Sequence, residues 1–233
     1  MQTTARILMT EFVTHDVKRF ILERPAGYTF LPGQATEVSI NQPQWEKKKR
    51  PFTFTSLEED GVLELTIKGY FDHDGVTKRL HQLRPGDELV LRDVWGTITY
   101  KGPGVFLAGG AGITPFIAIL RRLRQDGQLA GNTLIFANKT ARDVILEKEF
   151  AEMLGENLVL TLTREQRAGC EHGRIDKQFL LRHVSDFSQN FYVCGPDPFV
   201  ADIKAALAEK PSHDGVDLRR KGQRHADHRQ DPD

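Results

Sequence analysis

A chain of 233 residues in which 32 Lys and Arg balance 32 Asp and Glu has no formal net charge, so nothing in its charge favours nucleic acid or a membrane surface as a partner. That length accommodates two ordinary domains, each able to bury its own core. The longest uninterrupted apolar run, Pro115 to Leu120, is too short to insert into a bilayer, and Met1-Gln-Thr-Thr-Ala-Arg6 carries no cleavable apolar segment, so a cytoplasmic protein is expected. Cys170 and Cys194 are the only thiols and form no C-x-x-C pair, which excludes a zinc site or an iron–sulfur cluster held by four cysteines.

From Arg6 to Tyr100 the chain reads as short alternating runs: Ile7 to Phe12, Val17 to Leu22, Ala35 to Ile40, Phe52 to Ser56, Val62 to Lys68 and Glu88 to Val94. Turn pairs Pro32-Gly33, Asp60-Gly61 and Pro85-Gly86 separate them, the spacing of a small antiparallel barrel or sandwich. One helix is predicted, Val76 to Leu83. In Arg50-Pro-Phe-Thr-Phe-Thr-Ser56, alternation sets Phe52 and Phe54 on one face and Thr53 and Thr55 on the other, behind an arginine; a half-buried strand with a solvated cation reads the same way. In Asp74-Gly-Val-Thr-Lys-Arg-Leu80, a glycine precedes a helical pattern, which offers amides to a phosphate or is a plain helix start.

Tyr100-Lys-Gly-Pro-Gly104 is the expected hinge, dividing residues 1–101 from 102–209. Beyond it the apolar runs Val105 to Ala108, Thr133 to Ala137, Leu158 to Leu162 and Phe191 to Cys194 alternate with helical stretches near 115–126, 146–154, 176–183 and 198–208. Such alternation gives a parallel sheet with helices on both faces and a ligand crevice at the carboxyl ends of the strands. Gly109, Gly110 and Gly112 follow the first of these runs and lead into a helix at Thr114-Pro115, with Thr114 at the cap position, so backbone amides and the helix dipole face whatever binds there. The loop is neither a G-x-G-x-x-G fingerprint nor a P-loop. Thr163-Arg164 and Cys194-Gly-Pro196 each directly follow a strand as well. No histidine is paired with Cys194 in sequence, and no hydrolase or metal-ligand constellation occurs.

In this order the motifs resemble those of the ferredoxin–NADP reductase superfamily over residues 1 to about 209. Arg50-Pro-Phe-Thr53 resembles its R-x-Tyr-Ser flavin motif, with Phe52 in place of the usual Tyr, and Gly75-Val-Thr77 resembles the G-x-x-Ser/Thr stretch that follows. Gly109 to Pro115, through Ile113, is similar to its G-G-x-G-I-T-P nucleotide loop, Thr163-Arg-Glu-Gln166 to its Ser-Arg-Glu-Gln stretch, and Cys194-Gly195-Pro196 to its terminal C-G-P.

The resemblance implies a six-stranded antiparallel FAD-binding barrel followed by a parallel α/β nucleotide-binding domain. Arg50 and Pro51 would lie at the flavin pyrophosphate, Phe52 on the isoalloxazine and Thr53 at its N5 edge. Ile67 and Lys68 would line the ribityl side, and Gly75, Val76 and Thr77 would close on the diphosphate. Thr114 and Cys194 would shape the nicotinamide site, and Arg164, helped by Arg174, would hold the 2′-phosphate, favouring NADPH over NADH. It implies a monomer or weak dimer that passes electrons to a separate ferredoxin or flavodoxin, steered by Lys47-Lys-Lys-Arg50. An electron-transfer subunit of a multicomponent oxygenase and a flavin-free nicotinamide dehydrogenase are the alternatives. The tail 210–233 departs from the pattern: it is expected to be disordered, without the family's final apolar strand.

Overall fold

The computed structural model describes residues 2–96, 98–208 and 216–218. The alternating runs of the first half pair as β1 (Thr3–Phe12), β2 (Val17–Glu23), β3 (Gln34–Ile40), β4 (Arg50–Thr53), β5 (Val62–Lys68) and β6 (Glu88–Gly96). They form one antiparallel sheet in the order β4-β3-β6-β1-β2-β5. Its edges meet just past β4, where Phe54 bridges Leu65 of β5, and this closes the sheet into a barrel. Ile7, Phe20, Leu22, Val38, Phe54 and Leu65 point inward and form its core. The run expected as one strand, Phe52 to Ser56, therefore starts earlier and changes partner midway, from β3 to β5. Helix α1 (Val76–His81) covers one end, and the Lys18 ammonium donates to the carbonyls of His81 and Leu83 at 3.1 and 2.9 Å, where the helix leaves acceptors unpaired.

The second half is a parallel sheet of β7 (Gly104–Gly109), β8 (Thr133–Asn138), β9 (Leu158–Leu162), β10 (Glu171–His172), β11 (Asn190–Cys194) and β12 (Val216–Leu218). Their order is β10-β9-β8-β7-β11-β12. Strand β7 is apolar throughout because both its faces are covered. Phe106 and Ala108 enter the core lined by α2 (Thr114–Gln125) and α3 (Glu147–Leu154), whereas Val105 and Leu107 enter that lined by α4 (Lys177–His183) and α5 (Asp197–Ala208). Helix α2 stops at a left-handed Gly127, where Gly127 N–H reaches the Arg124 carbonyl at 3.1 Å and Gln128 N–H that of Leu123 at 2.7 Å.

One expectation is corrected here. The tail contains a strand, β12, whose Val216, Asp217 and Leu218 lie in register with Phe191, Tyr192 and Val193. A parallel ladder needs main-chain groups and an open edge, which β11 provides on the side away from β7; it does not need a long apolar run. The remainder of the tail, 209–215 and 219–233, lies outside the described residues.

The expected hinge is tied down. Tyr100 stacks on Phe106 and Tyr192 with centroids 6.3 and 5.7 Å apart, and the Tyr192 hydroxyl donates to the Gly102 carbonyl at 2.7 Å. The lobes also share a core, since Val17 and Ile98 are buried in the cluster that α2 lines. Gly33, at φ +87°, makes this approach possible: a Cβ there would lie 2.1 Å from the Ile98 carbonyl oxygen and 3.1 Å from Ile119.

Chain order places the site. From β7 the chain moves outward through β8 to β9, then returns to the other side of β7 as β11. The carboxyl ends of β7 and β11 thus flank the point where strand order reverses, which is where open parallel sheets bind ligands.

Candidate functional site

Two loops leave the sheet at this reversal. After β7 the chain makes a 3-10 turn, Gly110–Ile113, which runs straight into α2, and neither turn nor helix is capped by its N-cap side chain. Amides at such a start suit an anion. The cap expected at Thr114 is displaced by this turn: Ile113 takes the cap position, and the Thr114 hydroxyl donates to the Ala111 carbonyl at 3.1 Å. Strand β11 ends at the buried Cys194, and Gly195-Pro196 follow it.

The glycines hold these loops together. A Cβ on Gly112 would lie 2.2 Å from the Cys194 carbonyl oxygen and 2.6 Å from Gly195 Cα, so the two backbones touch. Gly109 and Gly195 both abut the Phe199 ring, at 3.0 and 2.6 Å from their would-be Cβ atoms. Phe199, which the motifs do not single out, is the wedge under both loops; an aromatic residue at a helix start after C-G-P is its only sequence signal. Gly110 differs, because its φ is +52° and its Cβ would meet nothing within 4 Å, so that side of the loop is open.

At the end of β9, Thr163 N–H and hydroxyl both donate to the Asn138 carbonyl, at 2.9 and 3.3 Å, fixing the start of the loop. Arg164 is exposed and its guanidinium pairs with no acid among the described residues. Its neighbour Glu165 turns away to accept from Ala141 N–H at 2.8 Å. Arg174 is exposed, 4.0 Å from Asp202.

The barrel residues lie along the β4–β5 seam and the loop into α1. Arg50 is exposed at the start of β4, donates to the Lys49 carbonyl at 2.7 Å and forms no ion pair among the described residues, so most of its donors face outward. Pro51 is half-buried, Thr53 is buried, and Phe52, at 9% exposure, belongs mainly to the barrel core. Ile67 is buried and its carbonyl accepts from His81 Nε2 at 2.9 Å. Lys68 is paired with Asp16 at 2.7 Å; burial works against ionising that carboxyl, but the lysine outweighs it and holds the carboxyl below its usual range. Gly75 is the cap of α1, Val76 is buried, and Thr77 Oγ1 accepts from Tyr70 N–H at 3.2 Å. Tyr70 and Phe71, 51% and 49% exposed, present aromatic rings in that same loop and were not signalled by any motif.

The donors fit two dinucleotides. Arg50 and Arg164 are guanidiniums without acid partners among the described residues, each on a different lobe, and the turn at Gly110 borders open space. His15, Asp16 and Asp143 bring ligand atoms within 4.8 Å of one another where the lobes meet, but Asp16 is neutralised by Lys68 and Asp143 accepts from Thr140 N–H and hydroxyl at 2.8 and 2.6 Å, so this group reads as an interlobe polar contact.

Residues 4–100 match the family model of the oxidoreductase FAD-binding domain, and residues 106–205 that of the oxidoreductase NAD-binding domain. The chain belongs to the ferredoxin–NADP reductase superfamily. As a member it is a flavin-dependent NAD(P)H oxidoreductase with one domain for each dinucleotide. It is 27% identical over 216 residues to NADH-cytochrome b5 reductase 2-A of Vanderwaltozyma polyspora, covering 82% of this chain and 70% of that protein. It is also 27% identical over 212 residues to the reductase component of propane 2-monooxygenase of Rhodococcus jostii, covering 84% of this chain and 56% of that one. Its fold is that of a ferredoxin NADP+ reductase from Neisseria gonorrhoeae, whose crystal structure holds FAD and NADP: the TM-score is 0.78 at 21% identity, over 90% of this chain and 92% of that one. Among the described residues no helix of this superfamily member is long and apolar enough to cross a membrane.

Proposed function

We propose that this reductase takes electrons from NADPH and delivers them to a separate redox protein. The observation that supports this most is the backbone contact of Gly112 with Cys194-Gly195 beside the open side of Gly110, a floor that admits a flat, anionic ligand at the switch point. When bound, FAD supplies an electron store that accepts two electrons from a nicotinamide and releases them one or two at a time.

The chain's own residues bind and orient. Arg50 donates in a fixed fork to the flavin diphosphate, and the amides of Gly75, Val76 and Thr77 close on it from the other side. The Thr53 hydroxyl is offered to the ring edge, and Tyr70 provides an exposed face for a planar group. In the second lobe Gly110 to Ile113 hold the nicotinamide dinucleotide's diphosphate, while Thr114, Cys194 and Pro196 line the end where its reactive ring lies. Arg164, with Arg174, takes the 2′-phosphate, which is why NADPH is the donor proposed even though the yeast relative is named for NADH. No side-chain acid or base is required. The boundary between the domains falls at Lys101–Gly102.

The acceptor proposed is a small acidic protein, ferredoxin or flavodoxin, guided by Lys47, Lys48, Lys49 and Arg50. A second reading, an oxygenase component or cytochrome b5 as acceptor, is favoured by the names of the relatives. Steady-state reduction of purified ferredoxin, flavodoxin, cytochrome b5 and a ferric chelate, at two ionic strengths, separates them. Turnover with ferredoxin or flavodoxin that weakens at high salt is the expected result. Turnover with the chelate alone removes the protein-acceptor reading.

A further inference from the structure

We infer that Arg121, which lies outside both binding loops, fixes the separation of the lobes at the site and is a positioning residue for electron passage between the two dinucleotides. This rests on the function proposed above. Arg121 sits on α2, seven residues beyond Thr114, or about 10 Å along the helix axis from the nucleotide loop. Its guanidinium uses all three nitrogens. Nε and Nη2 donate to the two carboxylate oxygens of Glu149 on α3 at 2.6 and 2.9 Å. Nη1 crosses to the barrel, donating to Glu64 Oε1 at 2.8 Å and to the Thr55 carbonyl at 2.7 Å.

The barrel end of this clasp is rigid. Thr55 is fully buried, its N–H donates to the Glu64 carbonyl at 2.9 Å, and its hydroxyl donates to Glu64 Oε1 at 2.7 Å. Ser56 Oγ accepts from Glu64 N–H at 2.9 Å. Arg19 lies 3.7 Å from the second Glu64 oxygen and offsets the excess of negative charge. Thr55 is two residues past Thr53, roughly 7 Å along an extended chain. A helix that begins at the nucleotide loop and a strand that carries the flavin-edge threonine are therefore joined through one half-buried guanidinium. Burial opposes the charge on Arg121, but its bonds to Glu149 and the charge of Glu64 outweigh this and strengthen its hold on the proton.

Two other polar contacts between the lobes are weaker. Arg122 donates to Glu59 at 2.6 Å with both side chains partly exposed, where such a pair contributes little, and His15 stands 3.7 Å from Asp143, beyond hydrogen-bond distance. The shared apolar core around Val17 and Ile98 is cohesive and does not fix orientation. Transfer between two stacked rings depends steeply on that orientation, so a small shift between lobes slows it without abolishing binding of either partner.

The test uses the full-length holoprotein and the variants Arg121→Lys, Arg121→Met and Glu64→Gln. Lysine keeps the charge and loses the fork. Expected for Arg121→Lys are unchanged FAD content, a nucleotide dissociation constant within about twofold of wild type, and anaerobic flavin reduction slowed about 10–100-fold, with a larger isotope effect from the 4-deuterated nucleotide. Glu64→Gln shifts the same quantities in the same direction, and Arg121→Lys combined with Glu64→Gln is no slower than the slower single variant. Calorimetry, which does not depend on turnover, resolves one transition for wild type and two for Arg121→Met as the lobes uncouple. Should Arg121→Met fail to fold, Arg121→Lys and Glu64→Gln carry the test. A folded Arg121→Lys protein reduced at the wild-type rate, or one whose defect lies wholly in nucleotide affinity, overturns the inference. In both of those cases a wild-type protein reduced normally leaves the proposed function standing, whereas a wild type that binds no flavin removes that function itself.

Discussion

On the barrel side, Arg50, Thr53 and Lys68, the residues proposed to face the flavin, come from strands β4 and β5 that meet only because the sheet curls, with Phe54 bridging Leu65 at the join. In the second lobe, Gly109, Gly110, Gly112 and Gly195 come from two loops leaving adjacent strands of one parallel sheet, and there backbone touches backbone. The first surface presents an exposed side chain, Arg50, that can be removed without disturbing what supports it. The second is made by the absence of side chains, and at Gly112 adding one atom displaces the framework.

The largest effect that separates the two surfaces is expected at Gly112. In Gly112→Ala the new methyl meets the Cys194 carbonyl, so the loops part, stability falls by about 1–3 kcal/mol in a urea titration, and flavin reduction by NADPH is lost. Gly110→Ala, two residues away, meets no atom and has only its positive φ to overcome, roughly 1 kcal/mol. Equal effects of the two substitutions would show that packing against the second loop is not what requires glycine.

Next in size is Arg50→Ala. Loss of a charge-assisted fork weakens FAD binding about tenfold or more, read by flavin retained after dialysis, while the thermal midpoint of the apoprotein stays unchanged. Unchanged flavin retention would break the comparison on the barrel side. Smaller still is Arg164→Ala, which lowers kcat/KM for NADPH about tenfold and leaves that for NADH unaltered. A parallel fall with both nucleotides would remove Arg164 from the 2′-phosphate role.

The smallest expected effect concerns His81, at the end of α1. Burial, with a contribution from the Lys18 charge, pushes its imidazole below the ordinary 6.5. The folded protein then binds this proton less tightly than the unfolded chain, so stability is complete above about pH 6.5 and declines as pH falls through the lower folded value. The urea midpoint should therefore drop as pH falls below about 6.5, and His81→Gln should flatten this slope. A slope unchanged in the variant assigns the dependence to other groups.

Sequence carried much of this organisation because it resides in local pattern. Period-2 runs located β1 to β6, and buried runs followed by helical stretches located β7, β8, β9 and β11 with their helices. What escaped has a physical reason in each case. Strands β10 and β12, of two and three residues, exist through the edges of β9 and β11 and carry little pattern of their own. The cap at Thr114 shifted by one residue because a 3-10 turn precedes the helix without a break. Phe199, Tyr70 and Arg121 depend on contacts or exposure that only the folded chain defines. Arg121 and Thr55, 66 residues apart, share no local signal that they meet.

One measurement tests the central claim, that the two lobes hold a flavin and a nicotinamide nucleotide in electron-transfer contact. The full-length protein is purified with FAD supplied, its visible spectrum is recorded, and NADPH and then NADH are added without oxygen. A yellow protein whose flavin band bleaches on adding NADPH is the predicted result. A folded protein that takes up no flavin, or one whose flavin stays oxidised with both nucleotides, would contradict it.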